Sequence, residues 1–172
     1  MLLSVTGTPG TGKTSISEHL GKLLSMKVIH LNRLAEEMGY ILGTDPVRGS
    51  LIVDIERLAE ELNERDAIIE GHLSHLVNPD RIVLLRCKPP VLKKRLEEKG
   101  WSETKVQENL DAEILGIIAS EVLELGIPFI EVETSSLTPE EAALLIKKRL
   151  DLGESDKEIT DFLLKYEELL SR

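Results

Sequence analysis

Gly7-Thr8-Pro9-Gly10-Thr11-Gly12-Lys13-Thr14 is the stretch that decides the fold of this chain. It follows a short apolar run, Leu2 to Thr6, and opens a helical pattern from Lys13 to Leu24. Strand, glycine-rich loop and helix in that order are the context of the phosphate-binding loop G-x-x-x-x-G-K-[ST]. The glycines let backbone N–H groups curl around phosphate oxygens, where a Cβ would obstruct the approach. The helix behind the loop adds unpaired N–H groups and the positive end of its dipole. Lys13 is expected to reach the β- and γ-phosphates, and the Thr14 hydroxyl to ligate Mg²⁺.

Outward from the loop, strand and helix signals alternate. Strands are expected at Leu2–Thr6, Lys27–His30, Ala67–Glu70, Arg81–Arg86 and Phe129–Val132. Helices are expected at 13–24, 32–38, 51–63, 91–99, 102–125 and 138–150, with Gly39 to Ser50 as a mobile loop. Thr138-Pro139-Glu140-Glu141 carries a cap and an acidic first turn. Ser155-Asp156-Lys157-Glu158 reads as the cap of a last amphipathic helix over 155–170, with Ile159, Phe162, Leu163, Tyr166 and Leu170 as its apolar face. Such alternation gives one α/β domain over residues 1–172, a five-stranded parallel sheet sandwiched between two helical layers. Ligands are then expected beyond the carboxyl ends of the strands, which points to Gly7 onward, His30, Glu70 to His72, and Arg86 to Lys88.

The composition sets bounds. The chain has 172 residues, 41% apolar and 30% charged, with only 3% aromatic, so its core is built from Leu, Ile, Val and Ala. With 21 basic and 31 acidic residues the net charge is −10. That argues against a broad nucleic-acid surface and requires a local cluster of cations for any polyanionic substrate. Cys87 is the only cysteine, which excludes an internal disulfide and fits the reducing cytoplasm. Met1 to Thr6 is too short for a signal peptide, and no apolar run approaches the ~20 residues of a membrane helix.

Phosphoryl transfer relies on positioning and on cations over the transferring group. Glu70, ending the third strand, is a candidate to hold Mg²⁺ or to orient the attacking group; the competing reading is a solvated carboxylate. His72, past Gly71, is a candidate to place a water or a phosphate, whereas His19 and His75 read as structural. Candidate cations are Arg86, Arg95, Lys99 and Lys105, with Lys94 on the surface. Glu98 to Glu108 reads as a glycine-hinged flap that closes over the reaction. Trp101 either covers a base or packs beneath the flap. Arg48, among Gly43, Asp45 and Gly49, is the candidate for a second phosphate-bearing substrate, and Arg33 reads as exposed.

These segments together resemble one family. They are the loop at 7–14, Ile69-Glu70-Gly71-His72, Leu85-Arg86-Cys87, Arg95-Leu96-Glu97-Glu98-Lys99-Gly100-Trp101, Glu108-Asn109-Leu110 and Ala112-Glu113-Ile114. The family is the small adenylate kinases of isoenzyme-six type, which includes the coilin-interacting nuclear ATPase and its archaeal relatives. The resemblance covers about residues 1–150. It implies a P-loop nucleoside-monophosphate (NMP) kinase fold with an NMP-binding segment at 30–50 and a short lid at 98–108. It also implies Mg²⁺-dependent transfer from ATP to AMP, an ATPase side activity, and a part in small ribosomal subunit maturation with the ribosomal protein uS11 as partner. By position, Gly10, Gly12, Lys13, Thr14, Ser15 and Lys99 would bind ATP, and His30 and Arg48 would serve the acceptor. Lys13, Glu70, His72 and Arg86 would serve catalysis, and Thr14 and Glu70 the metal. Lys99 stands where the family commonly has Arg, and Glu70 where it often has Asp. The 155–170 segment is not explained by the resemblance.

Overall fold

The computed structural model describes residues 1–172. Five parallel strands form the main sheet: β1 (Leu2–Thr6), β2 (Lys27–His30), β5 (Ala67–Glu70), β6 (Arg81–Arg86) and β7 (Phe129–Glu133), in the order β2-β5-β1-β6-β7. All five were legible in the sequence, four from apolar runs and β2 as the short stretch Lys27–His30. Period-two alternation then splits the core into two faces. Leu3, Val5, Ile68, Val83, Leu85, Ile130 and Val132 point to one face and pack on α1 (Lys13–Leu24) and α7 (Pro139–Asp151). Leu2, Ala67 and Ile69 point to the other, under α2 (Leu31–Met38) and α3 (Ile55–Glu61), while Ile82, Leu84 and Phe129 meet α6 (Ile117–Leu125). A fourth cluster lies between α4 (Pro89–Glu98) and α5 (Glu103–Leu115). Thr138 caps α7 in a full capping box with Glu141, worth about 1 kcal/mol.

Four expectations are corrected. Residues 39–50 are not a structureless loop, and 51–63 is not one helix. Ile41–Thr44 (β3) and Leu51–Val53 (β4) pair antiparallel as a separate two-stranded sheet. The turn between them is locked locally, because the Asp45 carboxylate accepts from the backbone N–H groups of Val47 and Arg48 at 2.9 Å each. Leu51-Ile52-Val53 fits a helical spacing, but branched residues beside a partner strand are held as a strand. Asp54 then caps the shorter α3, accepting from Arg57 N–H.

The expected helix 102–125 is two helices. Gly116 sits at φ 64°, ending α5 in a left-handed cap and starting α6 in a new direction. The segment expected as a lid, 98–108, is accordingly the last residue of α4, a tight turn through Gly100, and the Ser102-capped start of α5.

The C-terminal helix over 155–170 is largely absent. Only Leu163–Tyr166 (α8) is helical, followed by a 3₁₀ turn at Glu167–Leu169. Polar contacts stretch the segment out instead. Asp156 N–H donates to the Phe129 carbonyl at 2.7 Å, and the Asp156 carboxylate accepts from Glu131 N–H at 2.7 Å. Thr160 N–H and hydroxyl donate to the Glu131 carboxylate. Extension lets the apolar residues reach different places: Ile159 packs beside α6, whereas Tyr166, Leu169 and Leu170 cover the α4–α5 cluster. The segment is a strap from the sheet edge to α4 and α5.

Candidate active site

The carboxyl ends of the strands open on a cleft of about 950 Å³. Its walls are the loop after β1, the ends of β2 and β5, the start of α2, the tip of the β3–β4 hairpin, the α4–α5 turn and one side of α5 and α6. Gly10, Gly12, Lys13, Thr14, Ser15, His30, Arg48, Glu70, His72 and Lys99 all line it. Five cations (Lys13, Arg48, Arg95, Lys99, Lys105) face it with four carboxylates, Glu70, Glu98, Glu108 and Glu121. The cleft is thus mildly positive on a chain of net charge −10.

The loop is held by its own packing. Gly10 adopts φ +93°, and a Cβ there would meet Leu96 Cδ2 at 2.8 Å and Leu92 Cδ1 at 2.9 Å. Only glycine fits at both counts. Lys13 Nζ donates to the carbonyls of Gly7 (3.0 Å) and Thr8 (3.3 Å), so the ammonium is parked inside the loop. Burial lowers its pKa to about 8, against the opposing attraction of Glu70.

Glu70 is nearly buried and is not a merely solvated carboxylate. Its Oε1 accepts from His30 Nδ1 at 2.7 Å and from the Thr14 hydroxyl at 3.2 Å. His30 therefore orients Glu70, which its strand-end position alone did not reveal. The Thr14 and Glu70 oxygens form an adjacent pair. No group of three or more His, Cys, Asp or Glu side chains stands ready to cage a metal. Two hard oxygen ligands on one side suit Mg²⁺, which keeps several waters and takes the rest of its shell from phosphates. His72 sits between Lys13 and Glu121 in charge terms. Burial, with the Lys13 charge second, lowers its pKa to about 4, so it is neutral at pH 7. A neutral imidazole places a water or a hydroxyl; it does not grip a phosphate by charge.

Arg86 is the site residue that the structure removes from the cleft. Its side chain is 1% exposed and its guanidinium is fully engaged. Nε donates to Glu113 Oε1 (3.0 Å), Nη1 to Glu131 Oε1 and Thr160 O (2.9 Å each), and Nη2 to Glu113 O (3.2 Å). The Phe162 ring lies 4.6 Å from Cζ. A cation at a strand end was expected to face the ligand; here buried carboxylates draw it back into the core.

Arg95 lines the cleft but is bound to Thr134 and, at 3.4 Å, to the Gly10 carbonyl, so it steadies the loop. Trp101 packs against the α4–α5 cluster and also lines the cleft, with Lys105 Nζ 3.9 Å and Lys99 Nζ 5.4 Å from its ring centroid. Arg48 crosses the mouth to Glu108 at 3.2 Å, linking the hairpin to α5. Lys94 and Arg33 are exposed as expected. His75 is buried between the Thr6 hydroxyl (2.8 Å) and Glu121 (2.7 Å). Glu113 was missed as a site residue. The sign was present: a carboxylate on the apolar stripe of α5 with Val106, Leu110 and Ile114.

Residues 4–116 match a family model described as an AAA domain. The chain is 44% identical over 141 residues to a protein of Archaeoglobus fulgidus, covering 82% of this chain and 77% of that one. It is 42% identical over 169 residues to one of Methanosarcina acetivorans, covering 92% and 90%. Both carry the description "Putative adenylate kinase". Among solved structures, shikimate kinase from Acinetobacter baumannii superposes with a TM-score of 0.60 at 18% identity, covering 88% of this chain and 93% of that one. Deoxyadenosine kinase from M. mycoides gives 0.55 at 16%, covering 90% and 100%. The fold is that of a P-loop kinase. The chain belongs to the family of these archaeal adenylate-kinase-like P-loop proteins.

Proposed function

From that membership and from the cleft, we propose that the chain is an NMP kinase that transfers the γ-phosphoryl group of ATP to AMP, reversibly. One observation carries the reading. A single cleft joins the phosphate loop, on the donor side, to the hairpin bearing Arg48, on the other. ATP lies with its polyphosphate in the loop. Lys13 leaves the Gly7 and Thr8 carbonyls for the β- and γ-oxygens, and the backbone amides of Gly10 to Ser15 take the rest. Lys99 and Lys105, beside Trp101, cover the donor from the lid. Thr14 and Glu70 would hold Mg²⁺, which when bound neutralises charge on the β- and γ-phosphates.

AMP enters between the hairpin and α2, with Arg48 turning from Glu108 to its phosphate. One oxygen of that phosphate attacks the γ-phosphorus. The bond to the β–γ bridging oxygen breaks, and two ADP result. No base is required, because the acceptor oxygen is already anionic. In the absence of AMP a water held near Glu70 and neutral His72 takes the acceptor's place, which gives a slow ATPase side activity. The lone, buried Cys87 thiol suits a cytoplasmic enzyme. The family resemblance extends the proposal to small-subunit maturation through uS11, to be tested by binding to purified uS11 with and without ATP.

The deciding assay follows ATP, ADP and inorganic phosphate with and without AMP. Two ADP are expected per ATP consumed, little phosphate release, and loss of both activities in Lys13→Ala with its melting temperature retained. Turnover that ignores AMP and yields only ADP and phosphate would overturn the kinase reading in favour of an ATPase.

A further inference from the structure

We infer that Glu113 is a positioning residue of the phosphate-binding loop, acting through Thr8, and that Arg86 is its countercharge; this rests on the nucleotide-binding reading of the cleft. Glu113 lies on α5, more than a hundred residues from the loop, and is 2% exposed. Its Oε2 accepts from the Thr8 hydroxyl at 2.6 Å, a short charge-assisted bond. Its Oε1 accepts from Arg86 Nε and from Cys87 N–H, both at 3.0 Å. The carboxylate therefore ties three places together: the loop, the end of β6 and the lid-side helix.

A purely structural ion pair with Arg86 has no need of the loop. Arg86 already has Glu131 and the Thr160 carbonyl. The Oε2 bond to Thr8 is additional. Its value lies in what happens when Lys13 moves. The Thr8 carbonyl accepts from Lys13 Nζ, Thr11 N–H and the Thr11 hydroxyl. When the ammonium swings onto a phosphate, that donor leaves. The side-chain bond to Glu113 does not depend on Lys13, so the loop keeps its receptive shape in both states. A loop held beforehand is not ordered at the ligand's expense.

A bare carboxylate so close to a polyphosphate would repel it. Arg86, itself buried, cancels that charge. The strap holds the guanidinium in place through Thr160 and the Phe162 ring. This accounts for an arginine at a strand end that never reaches the ligand.

The test is calorimetric titration of MgADP into the native protein, Thr8→Val, Thr8→Ser, Glu113→Gln and Thr8→Val/Glu113→Gln, with melting temperatures and steady-state kinetics. Thr8→Val should bind about tenfold more weakly and raise the KM for ATP about as much, with kcat nearly held. Thr8→Ser keeps the hydroxyl and should bind like the native protein. The double variant should bind no more weakly than Glu113→Gln alone. Native affinity in Thr8→Val, an equal loss in Thr8→Ser, or additive losses in the double variant would overturn the inference. Should Glu113→Gln fail to fold, the valine and serine pair decides alone. If the native protein itself fails to bind, the nucleotide reading falls; if only the Thr8→Val loss is missing, this inference alone falls.

Discussion

Replacing Gly10 by Ala tests how the loop is held. At φ +93° an L-residue carries a backbone cost of about 1–2 kcal/mol. The new Cβ would stand 2.8 Å from Leu96 Cδ2, 2.9 Å from Leu92 Cδ1 and 3.3 Å from Leu96 Cγ. Ordinary carbon–carbon contact is ~3.5–4.0 Å, so the two leucines must retreat by several tenths of an ångström. They are methyl ends of flexible side chains, but both are 0% exposed, inside the α4–α5 cluster. Overpacking of this kind costs about 1–3 kcal/mol. The sum, about 3 kcal/mol, lowers the melting temperature by roughly 6–12 °C for a chain of this size. Relief can come only from the loop or from α4, and both line the proposed ATP cleft, so ATP affinity should fall together with stability. Scanning calorimetry and MgATP titration on the same sample check this. A variant with native melting and native affinity would refute the packing argument, because neither the left-handed backbone nor the leucine contacts would then be real constraints.

The Lys13 ammonium supplies a pH test with two opposed signs. With its pKa lowered to about 8, it is charged below that pH, and ATP affinity should be flat there and fall as pH rises through 8. Stability without ligand should move the other way. A lysine whose folded pKa lies below its ordinary 10.5 costs stability while charged, and that cost is relieved between about pH 8 and 10.5. Chemical denaturation of native protein and Lys13→Met across pH 7–11 isolates the contribution; parallel profiles would exclude the buried ammonium. Lys99→Ala removes one of two cations beside Trp101, and KM for ATP should rise about threefold to tenfold with kcat also lowered. A kinetic profile equal to native would return Lys99 to the exposed surface.

The five sheet strands and the loop helix were legible because their signals are local and agree with the tertiary context. An apolar run ending in glycine, with helical spacing behind it, has few other outcomes. The hairpin at 41–53 was not legible. Leu51, Ile52, Ile55, Leu58 and Leu62 satisfy a helical period, and only the partner strand converts the first of them. The C-terminal strap failed for a related reason. Ile159, Phe162, Tyr166, Leu169 and Leu170 do face the protein, while Leu163 and Leu164 are exposed; Glu131 and the Phe129 carbonyl hold the backbone extended, and contacts made across the fold leave no periodic trace. For the site, loop residues and Glu70 followed from motif and strand end. Arg86 was misplaced because its partners, Glu113 and Glu131, stand 27 and 45 residues away. A lone acid among the apolar residues of α5 was the one readable hint that a cation would be drawn inward.

The small sheet shares no ladder with the large one. Its base is pinned where Asp54 N–H meets the Tyr40 carbonyl, and Gly39, in a left-handed conformation, precedes it. A paired ribbon joined to the body at such a pivot can swing as a unit without disturbing the large sheet. Val47 rides at the far end, 82% exposed and bonded only through its backbone to the neighbouring turn. If the proposed acceptor binds beside the hairpin, a fluorophore attached at that point would report its docking separately from occupancy of the phosphate loop.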